Sequence, residues 1–520
     1  MRRAGFDYHF PAVGTAMACA LGIALGIVGL AQADECSAFL SHTATAEVRL
    51  THAESVSQSQ RWSDRENKSK DPVGADFCRL TGTIEQEIGF ELWLPLRSQW
   101  NGKLLAAGVG GEAGTLNYAD MARGVRRGYA SASTDTGHRI EDTDWALKRP
   151  DRRANFAARA NHLLAEKSKA LISAYYQRAA QHAYFVGCSG GGREGLKELQ
   201  SYPNDFDGIL AGGAGPDQLA VSMRLLWSQY VLGPRMAAVI DTPVWKRVAE
   251  AGIKACDADD GVRDGVVENP AACRFDPAVL QCKAGQSSDC LNDAQLSAVK
   301  TIFAPLVDEN GRALDEGILP GVAITMMPRS AFAFSLFGKV VHEDANWDPQ
   351  GLHIARDHAA ARRAWPDLPN DRTDISAFRD RGGKVITYHG WLDPWILAQL
   401  PINYFRQVNR ELGDTSNFFR LFMVPGMGHC RGGAGTDHFG GAGADSPIID
   451  AQHDMLSALE AWVEQGQAPK YIIASKVEDT RVTRTRPLCP FPQQAVYHGS
   501  GSSDEAVNFV CQNKETPHDR

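Results

Sequence analysis

The sequence predicts an α/β fold, and three observations carry the prediction. Short apolar runs of strand character alternate with longer helical segments along most of the chain. One of these runs, residues 183–186, feeds straight into Gly187-Cys188-Ser189-Gly190-Gly191, which opens a helical stretch. The alternation breaks over residues 218–373 and then resumes, as an insertion into one core would make it.

In chain order, residues 103–107 read as a strand that ends in the loop Gly108-Val109-Gly110-Gly111. Residues 129–134 form the next strand, followed by Asp135-Thr136-Gly137-His138. The alanine-rich stretch 155–178 holds neither proline nor glycine and predicts a helix. After the strand 183–186 come a helix over 191–200 and a strand over 208–211. Beyond the insertion, 384–388 and 419–424 read as buried strands and 455–464 as an amphipathic helix. The expected organisation is a catalytic domain made of residues 34–217 and 374–520, with residues 218–373 inserted as a lid. The insertion also fits an independent second domain; the core-type strands that resume after it favour the lid.

Composition narrows the function class. At 520 residues, 43% hydrophobic and 22% charged, the chain has the make-up of an ordinary globular protein. A net charge of −8 and the lack of a basic stripe with interleaved aromatics argue against nucleic acid as a partner. Arg2 and Arg3, the apolar run through Leu30 and the small-x-small site Ala31-Gln32-Ala33 read as an export signal over 1–33. Cleavage there would leave no membrane segment and a secreted or periplasmic protein. It would also remove Cys19 from eleven cysteines, leaving an even number in an oxidising compartment, where disulfides form. Cys256 with Cys273, Cys282 with Cys290, and Cys489 with Cys511 would close local loops, although spacing alone does not fix the pairing.

The chemistry centres on Gly187-x-Ser189-x-Gly191. Between a strand and a helix this pattern makes a turn so tight that its flanking residues must be small, with the hydroxyl lifted above the sheet. The helix N-terminus that follows offers backbone N–H groups to a developing oxyanion. A hydroxyl nucleophile needs a base and the base an orienting carboxylate, in the order Ser, acid, His for this architecture. Asp393 follows the strand 384–388 and His429 follows the strand 419–424, so both stand just past strand ends. His138, His389 and His438 are the rival bases. Cys188 precedes Ser189 and Cys430 follows His429, so a bond between them would staple the nucleophile loop to the base loop. The run Asp257-Ala258-Asp259-Asp260-Gly261-Val262-Arg263-Asp264-Gly265-Val266 crowds carboxylates as a Ca²⁺ loop does, yet it lacks the glycine an EF-hand needs at its sixth position.

Cys188-Ser189, Asp393 and His429-Cys430 resemble the CS-D-HC signature of the tannase and feruloyl esterase family. The likeness extends to Trp100-Asn101-Gly102-Lys103, Gly191-Gly192-Arg193-Glu194-Gly195 and Arg484-Thr485-Arg486-Pro487-Leu488-Cys489-Pro490. It implies an extracellular α/β-hydrolase core with a lid between nucleophile and acid, acting on small aromatic esters of hydroxycinnamate, gallate or terephthalate type. It implies the disulfides Cys36–Cys78, Cys188–Cys430, Cys256–Cys273, Cys282–Cys290 and Cys489–Cys511. It implies an oxyanion hole from the N–H groups of Gly190 and Gly111, although family members often carry a polar or acidic residue where this chain has Gly190. It implies structural calcium on the side chains of Asp257, Asp260 and Asp264 and the backbone oxygens of Val262 and Val266. Met326, Met327, Phe332, Phe334 and Phe337 are candidates for the lid's pocket, and Arg329 for a contact with a substrate carboxylate. The competing readings are a serine peptidase, an acyltransferase and a catalytically dead, calcium-stabilised binding protein.

Overall fold

The computed structural model describes residues 35–40, 47–60, 72–228, 240–324 and 331–513. The expected export signal, together with Met326, Met327 and Arg329, lies outside the described residues. Nine strands form one sheet in the order β1-β2-β3-β5-β4-β6-β7-β8-β9. They are β1 Val48–Val56, β2 Phe77–Ile84, β3 Ile88–Pro95, β4 Lys103–Ala107, β5 Ala130–Thr134, β6 His182–Cys188, β7 Gly208–Gly212, β8 Lys384–Gly390 and β9 Phe419–Val424. From β5 to β9 every pairing is parallel, whereas β1, β2 and β3 add an antiparallel edge joined to β5.

The central parallel strands are buried on both faces because helices cover both, and in β4, β6 and β7 those faces are largely apolar. Leu104, Ala106, Phe185, Ile209 and Val385 share one core face, covered by the helix Ala160–Tyr176 over β4 and by the helix Gly190–Ser201 over β6 and β7. Their alternates Leu105, Val186, Leu210, Ile386 and Val424 pack with the helix Met455–Gln465. Phe185 and Leu210 are fully buried, and burial of a side chain of this size contributes about 2 kcal/mol.

The stretch expected as one helix over 155–178 is built differently. Asn155–Arg159 is a π-helical turn, and the α-helix then runs Ala160–Tyr176 until Gln177 turns left-handed at φ 57°. The π turn has an outside partner: the Arg193 guanidinium donates to the carbonyls of Phe156 and Ala157, each at 2.9 Å.

Residues 213–383 leave the sheet after β7 and return to it at β8, its neighbour. This excursion shares a core with the chain that follows β4 and β5: Val109, Ala113, Trp145 and Phe156 pack with Leu219, Met223, Phe337 and Trp365. Phe337 is fully buried and Phe332 nearly so, in that core. At the far end two hairpins, β10 Ile472–Glu478 with β11 Arg481–Leu488 and β12 Gln493–Tyr497 with β13 Phe509–Asn513, close the chain. Val262 of the acidic loop is buried with Cys489, Ala495 and Phe509 of these hairpins.

Candidate active site

The turn between β6 and the helix Gly190–Ser201 holds Ser189 at φ 61°, ψ −121°, a conformation L-residues rarely adopt. Its amide donates to Gly212 O of β7 at 2.9 Å, and its carbonyl accepts Arg193 N at 2.9 Å to start the helix. The small residues around it are sterically required. A Cβ on Gly187 would stand 2.5 Å from the Gly191 carbonyl carbon, and one on Gly190 would stand 2.8 Å from Val109 O and 3.0 Å from Gly111 N. The backbones of Gly190 and Gly111 therefore lie side by side, beneath the nucleophile.

Asp393 and His429 meet across the ends of β8 and β9. His429 Nδ1 donates to Asp393 Oδ2 at 2.7 Å, which leaves Nε2 as the basic nitrogen. The Asp393 carboxylate is buried, and its Oδ1 accepts the amides of Trp395 at 2.9 Å and Ile396 at 3.0 Å. Burial alone would raise its pKa, but His429, His389 and the Ile396 amide outweigh burial and hold it below the ordinary carboxylate range. Trp395 packs on the His429 ring at 4.7 Å between centroids.

Cys188 and Cys430 form a disulfide with Cα atoms 6.0 Å apart, which fastens the two loops together. The other four disulfides join Cys36–Cys78, Cys256–Cys273, Cys282–Cys290 and Cys489–Cys511.

The rival histidines do other work. His389 is fully buried and donates from Nε2 to Ile396 O at 2.8 Å, with Asp393 Oδ2 at 3.4 Å. Burial pushes its pKa down, so it stays neutral. His138 stacks on Trp145 at 4.1 Å, and burial lowers it to about 4. His438 pairs with its neighbour Asp437 at 3.0 Å.

Sequence reasoning passed over Glu194. It is 2% exposed, one turn into the helix that follows Ser189, and its Oε2 accepts the Val109 amide at 3.0 Å.

In the acidic loop, each candidate carboxylate accepts backbone amides: Asp260 and Asp264 close tight turns, and Asp257 bridges the loop. Asp257 Oδ1 accepts the amides of Asp264 at 3.1 Å and Gly265 at 2.9 Å, Asp260 Oδ1 accepts Val262 at 2.9 Å, and Asp264 Oδ1 accepts Val266 at 3.1 Å. The guanidinium of Arg486, from β11, pairs with the other Asp264 oxygen. Among the described residues, no three His, Cys, Asp or Glu side chains converge as a metal cluster. No helix among them is long and apolar enough to cross a membrane.

A family model for tannase and feruloyl esterase matches residues 73–327 and 324–512. An esterase of Xanthomonas campestris is 36% identical over 485 residues, 84% of each chain. A probable feruloyl esterase B-2 of Aspergillus terreus is 31% identical over 521 residues, 94% of this chain and 98% of that one. The crystal structure of feruloyl esterase B from Aspergillus oryzae matches with a TM-score of 0.86 at 28% identity, covering 92% of this chain and 100% of the other. With a family match that spans nearly all the described residues and relatives aligned over most of their own length, the chain belongs to the tannase and feruloyl esterase family of carboxylic ester hydrolases.

Proposed function

We propose that this chain is an exported serine hydrolase of aromatic carboxylic esters, with Ser189 as nucleophile, His429 as base and Asp393 as the orienting acid. The observation that carries the reading is the 2.7 Å bond from His429 to Asp393 on a loop tied by Cys188–Cys430 to the nucleophile's own turn. His429 Nε2 takes the Ser189 proton as Oγ attacks the ester carbonyl, and Asp393 stabilises the imidazolium. The amides of Gly190 and Gly111 receive the oxyanion. His429 then protonates the leaving alcohol, and water releases the acid from the acyl-enzyme by the same steps.

The test is hydrolysis of methyl ferulate, methyl gallate and mono(2-hydroxyethyl) terephthalate by the parent and by Ser189→Ala. At least one ester should turn over, and Ser189→Ala should lose about 10⁴-fold or more in kcat. Equal rates for the two proteins sink the mechanism. Covalent capture of Ser189 by a fluorophosphonate separates the enzyme from an inert binding protein.

The acidic loop is the proposed seat of a structural Ca²⁺. Its donors are oxygens alone, the carboxylates of Asp257, Asp260 and Asp264 and the carbonyls of Val262 and Val266, which suits a hard cation. The Cys256–Cys273 bond closes the loop, and a cation there would offset the crowded charge. Thermal unfolding with EDTA against added CaCl₂ tests it; equal midpoints refute it. Export by cleavage after Ala33 fits the five disulfides and is read by N-terminal sequencing of the mature protein.

A further inference from the structure

We infer that Glu194 is a positioning residue for the oxyanion hole, holding the Gly108–Gly111 loop against the nucleophile's helix through the Val109 amide. The inference rests on the reading of Gly190 and Gly111 as the oxyanion donors.

Gly108–Gly111 has no side chain able to anchor it except that of Val109. The loop's conformation is therefore set by its backbone hydrogen bonds: Gly110 O accepts Ala113 N at 3.2 Å in the chain that follows, and three more tie the loop to its surroundings. Gly108 N donates to Val186 O of β6 at 2.9 Å, Asn117 Nδ2 donates to Gly108 O at 2.7 Å, and Val109 N donates to Glu194 Oε2 at 3.0 Å. Only the third links the loop to the helix that carries Ser189. Without it, a buried amide two residues before Gly111 would lack a partner, which costs about 1–3 kcal/mol and favours a different loop path.

The fit around this bond is close on every side. A Cβ on Gly108 would lie 2.8 Å from Glu194 Oε2 and 2.9 Å from Gly191 Cα, and one on Gly191 would lie 2.8 Å from the Gly108 carbonyl carbon. Loop and helix thus touch backbone to backbone, with the carboxyl as the fastener. Arg193, the neighbouring cation, has its guanidinium committed to the Phe156 and Ala157 carbonyls. Glu194 itself stays 2% exposed, away from solvent and out of reach of an ester carbonyl in its role as acceptor. It acts through the loop.

The consequence is selective. Loosening the loop should misplace Gly111 N relative to the oxyanion, which weakens transition-state binding, while ground-state binding of the ester in the lid is left as it was. Glu194→Gln preserves an acceptor oxygen at the same reach and should keep kcat within about threefold. Glu194→Leu fills the same space without an acceptor and should lower kcat by about ten- to a hundredfold at unchanged KM. An arylboronic acid, which takes up tetrahedral geometry on the nucleophile, should lose affinity for the Leu variant by the same factor. Glu194→Asp, which keeps the charge but retracts the acceptor by one methylene, should fall between the two and decides the matter if the Leu variant does not fold.

A folded Leu or Asp variant with parental kcat overturns the inference, as does a rise in KM that accounts for the whole loss. A parent that no arylboronic acid inhibits overturns the oxyanion reading and this inference with it. A sensitive parent with an equally sensitive Leu variant overturns this inference alone.

Discussion

Asp393 shows how much of the site depends on a single side chain. Its Oδ2 faces His429, its Oδ1 is saturated by the Trp395 and Ile396 amides, and His389 abuts it from beneath. Asp393→Asn keeps the shape but presents an amide N–H or a weaker acceptor to His429 Nδ1, which favours the wrong tautomer. We expect kcat to fall by about 10⁴-fold with little change in thermal stability, read by steady-state kinetics and calorimetry. Glu194 gives a pH-dependent counterpart. Burial raises its carboxyl to about 7 against Arg193, which pulls it down. In the unfolded chain it titrates near the ordinary glutamate value of 4.5, so the folded state binds the extra proton between those values. Stability from this group is therefore whole below the unfolded value and is lost as pH rises to about 7. Glu194→Gln should gain in melting temperature over the parent as pH climbs from 4 to 8 (about 2–3 kcal/mol at the top). A gap that stays constant with pH refutes the assignment. Ser189, Asp393 and His429 were legible in the sequence because each stands just past an apolar run. Glu194 and His389 were not, because a charged residue in a helix and a histidine in a strand look alike whether they face water or core.

At the scale of elements, the elbow and its disulfide form one device. The Cys188–Cys430 bond joins the end of β6 to the loop after β9, strands separated by β7 and β8 in the sheet. Replacing both cysteines by serine should leave the fold intact but let the His429 loop drift. We expect a loss of about ten- to a hundredfold in kcat, with rate against dithiothreitol on the parent as the parallel measurement. The π turn at Asn155–Arg159 is a second such device. Arg193→Met removes the donor to two buried carbonyls and should cost about 3 kcal/mol, visible in urea unfolding. Two of the strands the sequence left unseen have a physical reason for it. β1 is largely exposed and β3 almost wholly buried, so neither shows the clean alternation of a half-covered strand. The helix Gly190–Ser201 is buried from Gly191 to Gln200, polar residues included, because both the sheet and the lid cover it. Such a helix carries no amphipathic signature that would tell which of its charges are interior.

Across the whole molecule, the lid and the C-terminal hairpins are bound to each other as well as to the sheet. Arg486 of β11 pairs with Asp264 of the acidic loop, both sides nearly excluded from water, and Arg486 also lies over the Phe509 ring at 3.8 Å. Arg486→Met leaves the buried Asp264 carboxylate with only the longer contact to Arg484, at 3.6 Å, and should destabilise the protein by about 1–3 kcal/mol, in a calorimetric scan at neutral pH. The parallel sheet, the insertion and the site order were readable from sequence, whereas this junction was not, since nothing local couples residue 264 to residue 486.

The bond between Cys188 and Cys430 also turns the chain between them into a covalent ring of which the lid is a part. A protease that cuts once anywhere in residues 213–383 opens the ring without releasing either piece. Such a nicked protein should run as one band on a non-reducing gel and as two after reduction, with its hydrolytic centre still fastened. If the proposed export holds, proteases are part of the enzyme's surroundings, and the insertion is the segment where a cut is survivable and where sequence can be exchanged while the two ends stay joined.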